Sequence, residues 1–151
     1  MHEVGQVIAG AADAGAGLAI TPSRRSPGTL KTAIEHELED VNYYWWDGSA
    51  PNPTPNPYGF LLSQCDAFVV TADSANMVGE ACVTGKSVYV FKPSGGSKKF
   101  DRLLEEFSTY GAIRALPEKI EQHIPWRYEP LYAAGDIARE IIKRAARQFD
   151  Q

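Results

Sequence analysis

Cysteine is scarce in this sequence. Cys65 and Cys82 are the whole supply among 151 residues, without the spacing of a zinc knuckle or a disulfide framework. Isolated thiols of that kind suit small buried hydrophobes in a reducing compartment. The three histidines, His2, His36 and His123, form no HxxxH pair, so no metal site is expected. Positive charge is short as well: 15 Lys and Arg against 19 Asp and Glu give a net charge of −4. That balance excludes a general nucleic-acid binder, which needs an excess of cations to neutralise phosphates. No apolar run reaches membrane-spanning length and no signal-peptide core opens the chain, so a soluble, cytoplasmic chain without a membrane span is expected. Repeats and heptads are missing too.

What remains is an ordinary globular composition, 44% hydrophobic and 23% charged, of a length suited to one domain over residues 1–151. Val4, Val7, Ile8 and Ala11 recur at helical spacing, predicting an amphipathic helix over Glu3 to Ala14. LAIT (Leu18 to Thr21) reads as a strand. Ser26 with Pro27 behind it reads as an N-cap for a helix through Leu38. NYYWW (Asn42 to Trp46) is a second strand, and GSAPNPTPNP (Gly48 to Pro57) a loop whose prolines forbid a ladder. Asn56-Pro57 opens a short helix through Leu62.

DAFVVT, SVYVF and AIRAL are three further strands. Helices over Ser74 to Thr84, stopped by Gly85, and over Lys98 to Thr109 separate them. A last helix is expected from Leu131 to Phe149, with Ala134, Ile137, Ala138, Ile141 and Ala145 as its apolar stripe. Alternating helices and near-continuous apolar strands predict an α/β fold: a Rossmann-like, doubly wound parallel sheet of about five strands with helices on both faces.

TADSAN (Thr71 to Asn76) falls between the strand FVV and the next helix, at the carboxyl end of a strand where doubly wound folds bind ligands. Small side chains let an anion approach the backbone, and unpaired helix N–H groups attract phosphate. Glu80, four residues after Asn76, shares its helical face one turn up, where a carboxylate suits sugar hydroxyls better than phosphate. The bland alternative is that Asp73 or Ser74 only caps the helix and Glu80 is solvated. Ser23, Arg24 and Arg25 follow a strand end on the same rim, where an arginine can clamp a phosphate or simply stay hydrated. Lys98 and Lys99 begin a helix after another strand-end loop and read as exposed or as secondary anion ligands.

TPSRRSP, a WWDGSAPNP…NPYGF element, TADSANMVGEA, TGKSVYVF, SKKF and WRYEPL occur in order between Leu18 and Ile142. Together they resemble the bacterial and plant mitochondrial fission family, itself similar to the carboxyl-terminal half of GT-B glycosyltransferases. The resemblance implies a domain that binds a nucleotide sugar or nucleoside diphosphate. Ser74, Ala75, Asn76 and Met77 would hold the diphosphate, Glu80 the ribose, and Tyr58 would lie near the base. Ser74-Ala75-Asn76 stands where the GT-B loop has tight-turn glycines.

A catalytic base and the acceptor site would belong to an amino-terminal half-domain that the chain does not match, so binding without turnover is expected and no catalytic residue is assigned. A non-enzymatic interaction module, as in organelle division, is the second reading. A nucleoside-diphosphate-sugar epimerase is the third and weakest, because GxGxxG and the YxxxK pair are both missing and no cofactor is expected. The usual first, central strand is not found either. The expectation is that LAIT and FVVT pair directly to close five strands, since splayed strands would leave a dimer or a poorly stable chain.

Overall fold

The computed structural model describes residues 2–23, 26, 28–46, 55–92, 98–118 and 124–132. Helices and strands alternate through them as α1 (His2–Asp13), β1 (Leu18–Ile20), α2 (Leu30–Glu37), β2 (Tyr43–Trp45), α3 (Tyr58–Gln64), β3 (Ala67–Thr71), α4 (Ala75–Cys82), β4 (Ser87–Phe91), α5 (Lys98–Tyr110) and β5 (Ile113–Ala115). The α/β class with parallel strands is as the sequence pattern predicts. The loop at 48–54, the turn at 93–97 and the helix expected beyond residue 132 lie outside the described residues. Leu131 and Tyr132 themselves are not helical.

Strand pairing differs from expectation. Among the described residues β1 pairs only with β2, in the register Leu18 with Tyr43 and Ile20 with Trp45. β3, β4 and β5 form a separate parallel sheet in that order. LAIT and FVVT therefore do not lie side by side. Hydrophobicity identifies each strand, but the neighbour of an edge strand is set by what is left to pair with it.

The three-stranded sheet carries the main core. β4 is paired on both sides, and its continuous apolar run buries Val88 and Val90. α4 turns Val78, Ala81 and Cys82 onto that sheet at helical spacing, and α5 adds Leu104. Gly85 has φ of +67°, and it ends α4 in the left-handed conformation glycine adopts without strain. The first pair of helices has its own contact. α1 buries Val4 and Val7, α2 buries Ile34 and, just past its end, the C-cap Leu38, and Gly5 lets the two approach so closely that a Cβ there would stand 2.7 Å from that of Glu37. The start of α2 departs from the sequence reading. Ser26 does not cap it, because the Ser26 hydroxyl accepts the Ser23 N–H at 2.9 Å, and the helix begins at Leu30 behind Thr29.

An extended segment, residues 124–132, straps the amino ends of β4 and β5. The Trp126 N–H donates to Ser87 Oγ at 3.0 Å, and its indole N–H donates to the Gly111 carbonyl at 3.1 Å. The same indole meets Tyr89 edge-on at 5.0 Å, with the Arg114 guanidinium 4.2 Å from its centre. Further along, the Leu131 N–H reaches the Cys82 carbonyl at 3.3 Å.

Cys82 lies against this strap, beside its Tyr128. Burial pushes the Cys82 thiol from 9.0 up to about 11, partly offset by the Tyr128 hydroxyl. The Tyr128 phenol is raised too, by burial and then by Cys82. Among the described residues its hydroxyl meets no conventional hydrogen-bond partner, so the neighbouring thiol is a weak contact and burial governs both groups. Raised values mean that the folded state keeps these protons when the unfolded chain loses them. For Cys82 the stabilisation is thus complete below about pH 9 and is lost as pH rises toward 11, a shift worth about 2–3 kcal/mol, and for Tyr128 the loss begins only above about pH 10. The urea midpoint should hold steady from neutrality to about pH 8.5 and fall above it, and Cys82→Ala should remove the first part of that fall.

Candidate functional site

β3 ends at Thr71, and the backbone turns immediately into α4. The Ala72 N–H donates to the Phe91 carbonyl at 2.8 Å, tying this turn to the carboxyl end of β4. Ser74 is the N-cap residue, with φ −108° and ψ 73°, but its side chain makes no capping hydrogen bond. It is buried, its N–H donates to the Thr71 carbonyl at 3.1 Å, and its carbonyl accepts the first helical bond from Val78 at 3.0 Å. The Ser74 amide is therefore already used. The next three N–H groups, of Ala75, Asn76 and Met77, find no acceptor among the described residues, which is the ordinary condition of a helix start. Asn76 is exposed, Ala75 is half-buried and Met77 leans on the core. Asp73 is half-buried and held by a contact of its own.

One turn along α4, exposed Glu80 meets Tyr58, the first residue of α3. Burial, then a hydrogen bond to the Glu80 carboxylate, raises the Tyr58 phenol well above its ordinary value. Tyr58 is itself fixed by local chemistry. The Asn56 side-chain carbonyl accepts its N–H at 2.9 Å, and the Leu61 N–H donates to the Pro57 carbonyl at 2.8 Å; Asn-Pro opens the helix, but with Pro57 rather than Asn56 in the N-cap position.

The sequence reading did not single out Lys86, which secures the other end of α3. Its ammonium donates to the carbonyls of Leu62 at 3.2 Å and Ser63 at 2.6 Å, adding positive charge at a helix carboxyl end. A lysine just after the glycine that stops α4 was the available signal, but its target lies more than twenty residues upstream.

The structure thus places Ala75, Asn76 and Met77 in the first turn of α4 behind the buried N-cap Ser74, and Glu80 one turn further along beside Tyr58. Ser23 occupies a different turn, after β1, closed by Ser26. Arg24 and Arg25 lie outside the described residues. Lys98 and Lys99 form the first turn of α5. Among the described residues no cluster of His, Cys, Asp and Glu could hold a metal ion, and no helix is long and apolar enough to cross a membrane.

With this geometry in view, the family model for Mitochondrial fission ELM1 matches residues 1–145. The chain belongs to that family. It is 34% identical over 128 residues to the mitochondrial fission protein ELM1 of Arabidopsis thaliana, covering 84% of this chain and 29% of the relative. An uncharacterized protein of Rickettsia prowazekii (strain Madrid E) is 32% identical over 127 residues, covering 83% of this chain and 35% of the relative. The chain therefore spans about a third of the length of the curated relatives it matches. No solved structure matches it.

Proposed function

We propose that this member of the ELM1 family is a nucleoside-diphosphate or nucleotide-sugar binding domain of GT-B type, acting in a cytoplasmic glycosyltransferase-like protein. The observation that carries the reading is the open first turn of α4 at the carboxyl end of β3, where the N–H groups of Ala75, Asn76 and Met77 find no acceptor among the described residues. The N–H groups of Ala75, Asn76 and Met77 would hold the diphosphate, with the helix dipole adding attraction. Glu80 would accept from ribose hydroxyls through the oxygen that Tyr58 leaves open. Tyr58 would orient that carboxylate and border the base. Arg24 and Arg25 would add to the diphosphate site, and Ser23, Asp73, Lys98 and Lys99 are secondary candidates on the same reading. Residues 1–151 would form one such domain, with acceptor binding and any turnover left to an amino-terminal half-domain.

Calorimetric titration with UDP, GDP and their sugars tests this. Glu80→Gln keeps the size of the side chain and removes its charge, and should weaken nucleotide-sugar binding by roughly tenfold, about the worth of a charge-assisted hydrogen bond. An inorganic diphosphate control should be nearly unaffected. Equal affinities for wild type and Glu80→Gln would refute the ribose role.

The name of the Arabidopsis relative favours a second reading, an interaction module serving organelle fission. Pull-down of a stable partner by a chain that binds no nucleotide would select it.

A further inference from the structure

α3 is too short to stand on its own. Its seven residues, YGFLLSQ, are fewer than the roughly 12–15 that an isolated helix needs in water, and none of them is fully buried. Phe60 is 66% exposed, and Leu62 leans on the β3–β5 core without being sealed into it. Apolar burial therefore fixes the place of this helix only loosely.

Polar contacts hold its two ends, and both come from α4 and the turn behind it. At the amino end, the Tyr58 hydroxyl donates to the Glu80 carboxylate. At the carboxyl end, the Lys86 ammonium donates to the carbonyls of Leu62 and Ser63, two of the four that a helix leaves without an internal partner. The helix dipole favours positive charge there.

The turn that presents Lys86 is itself tied down. The Thr84 hydroxyl donates to the Ala81 carbonyl at 2.6 Å and accepts the Lys86 N–H at 3.2 Å. Gly85 stands between the two at φ +67°, backed by the ring of Pro130, from which a Cβ would be only 3.1 Å. Lys86 then leads directly into β4, where Ser87 is buried. Glu80 and Lys86 are thus two points on one frame, and α3 is clipped across them.

We propose that Lys86 is a positioning residue for the candidate site: through α3 it sets the Tyr58 hydroxyl against the Glu80 carboxylate and thereby favours a nucleoside diphosphate over bare diphosphate. The ammonium is committed to two carbonyls and touches no ligand. The amides of the first turn of α4 do not depend on α3, whereas the direction of the Glu80 carboxylate does. The preference among ligands rests on the nucleotide reading above; the positioning of Tyr58 does not.

NMR of isotope-labelled tyrosine rings, joined to calorimetry on the same chain, tests both parts. Tyr58→Phe identifies the Tyr58 signal among the seven tyrosines, and Glu80→Ala marks where it moves when the contact is lost. Lys86→Met keeps an apolar stem and removes the ammonium. It should carry the Tyr58 signal most of the way to its Glu80→Ala position, while the signals of Tyr89 in β4 and Tyr128 in the strap stay in place. Affinity for UDP should fall by about fivefold, the low end of coupling between sites, with inorganic diphosphate unchanged. Lys86→Arg, whose guanidinium can donate to the same two carbonyls, should restore both readouts. General destabilisation would move all three tyrosine signals together and would not be rescued by arginine. Should Lys86→Met fail to fold, Lys86→Gln, neutral but polar, carries the same expectations. A Tyr58 signal left at its wild-type position in a folded neutral variant would overturn the proposal, as would UDP binding that this variant leaves intact. A wild type that binds no UDP would refute the nucleotide reading instead, and the Tyr58 signal then decides the positioning role alone.

Discussion

Asn76→Asp should leave the protein slightly more stable and much less able to bind a nucleoside diphosphate. Asn76 is exposed at the second position of α4, and the substitution changes charge with almost no change in shape. A carboxylate in the first turn of a helix interacts favourably with the dipole, by roughly 0.3–1 kcal/mol. The same carboxylate would stand beside the diphosphate. Two unit charges about 4 Å apart near a protein surface repel by up to roughly 4 kcal/mol, and solvent screening reduces this to an expected loss of about tenfold to a hundredfold in affinity. Thermal melting and calorimetric titration of one sample read the two effects. Because the signs are opposite, an unfolded variant cannot mimic the result. Unchanged affinity would remove the α4 turn from the binding site.

Two residues further along the same helix, an aspartate should abolish folding. Val78 is 0% exposed and lies at the centre of the core formed by α4, α5 and the three-stranded sheet. Val78→Asp places a carboxylate there without a partner. The cost of several kcal/mol is comparable with the whole stability of a domain, about 5–15 kcal/mol. Circular dichroism should show no cooperative melt for Val78→Asp, whereas Val78→Ala should still fold with a loss of about 1–3 kcal/mol. A cooperative melt of Val78→Asp within a few degrees of wild type would contradict the buried face assigned to α4.

The contrast between Asn76 and Val78 was readable from the sequence, because the period of a helix assigns residues to faces without knowledge of the partner. The same holds for SVYVF, whose unbroken apolar run marks a strand buried on both faces, and for Gly85, placed where α4 stops. Pairing between distant segments was less legible. LAIT and FVVT each look like strands, but nothing local specifies that they remain apart. Ser26 followed by proline has the form of an N-cap, and only the proximity of Ser23 diverts its hydroxyl. At the candidate site, Glu80 and Tyr58 could each be selected by position, whereas their contact depends on how α3 docks. That docking uses Lys86, whose bonds to Leu62 and Ser63 have no periodic signature.

The division of strands between two sheets also divides the chromophores. Trp45 lies in β2 and Trp46 just after it, both with a buried indole N–H that meets no acceptor among the described residues, and the Lys31 ammonium is 5.9 Å from the Trp45 ring centre. Trp126 lies in the strap over the other sheet, its indole N–H bound to a carbonyl and its ring close to a guanidinium. These are the only three tryptophans in the chain. Each half of the molecule consequently carries its own fluorescent label in a chemically distinct setting. Emission from a Trp126→Phe protein follows the β1–β2 half alone, and its difference from wild type follows the β3–β5 half. Whether the halves melt as one cooperative unit or as two is thereby visible optically, without attaching a dye.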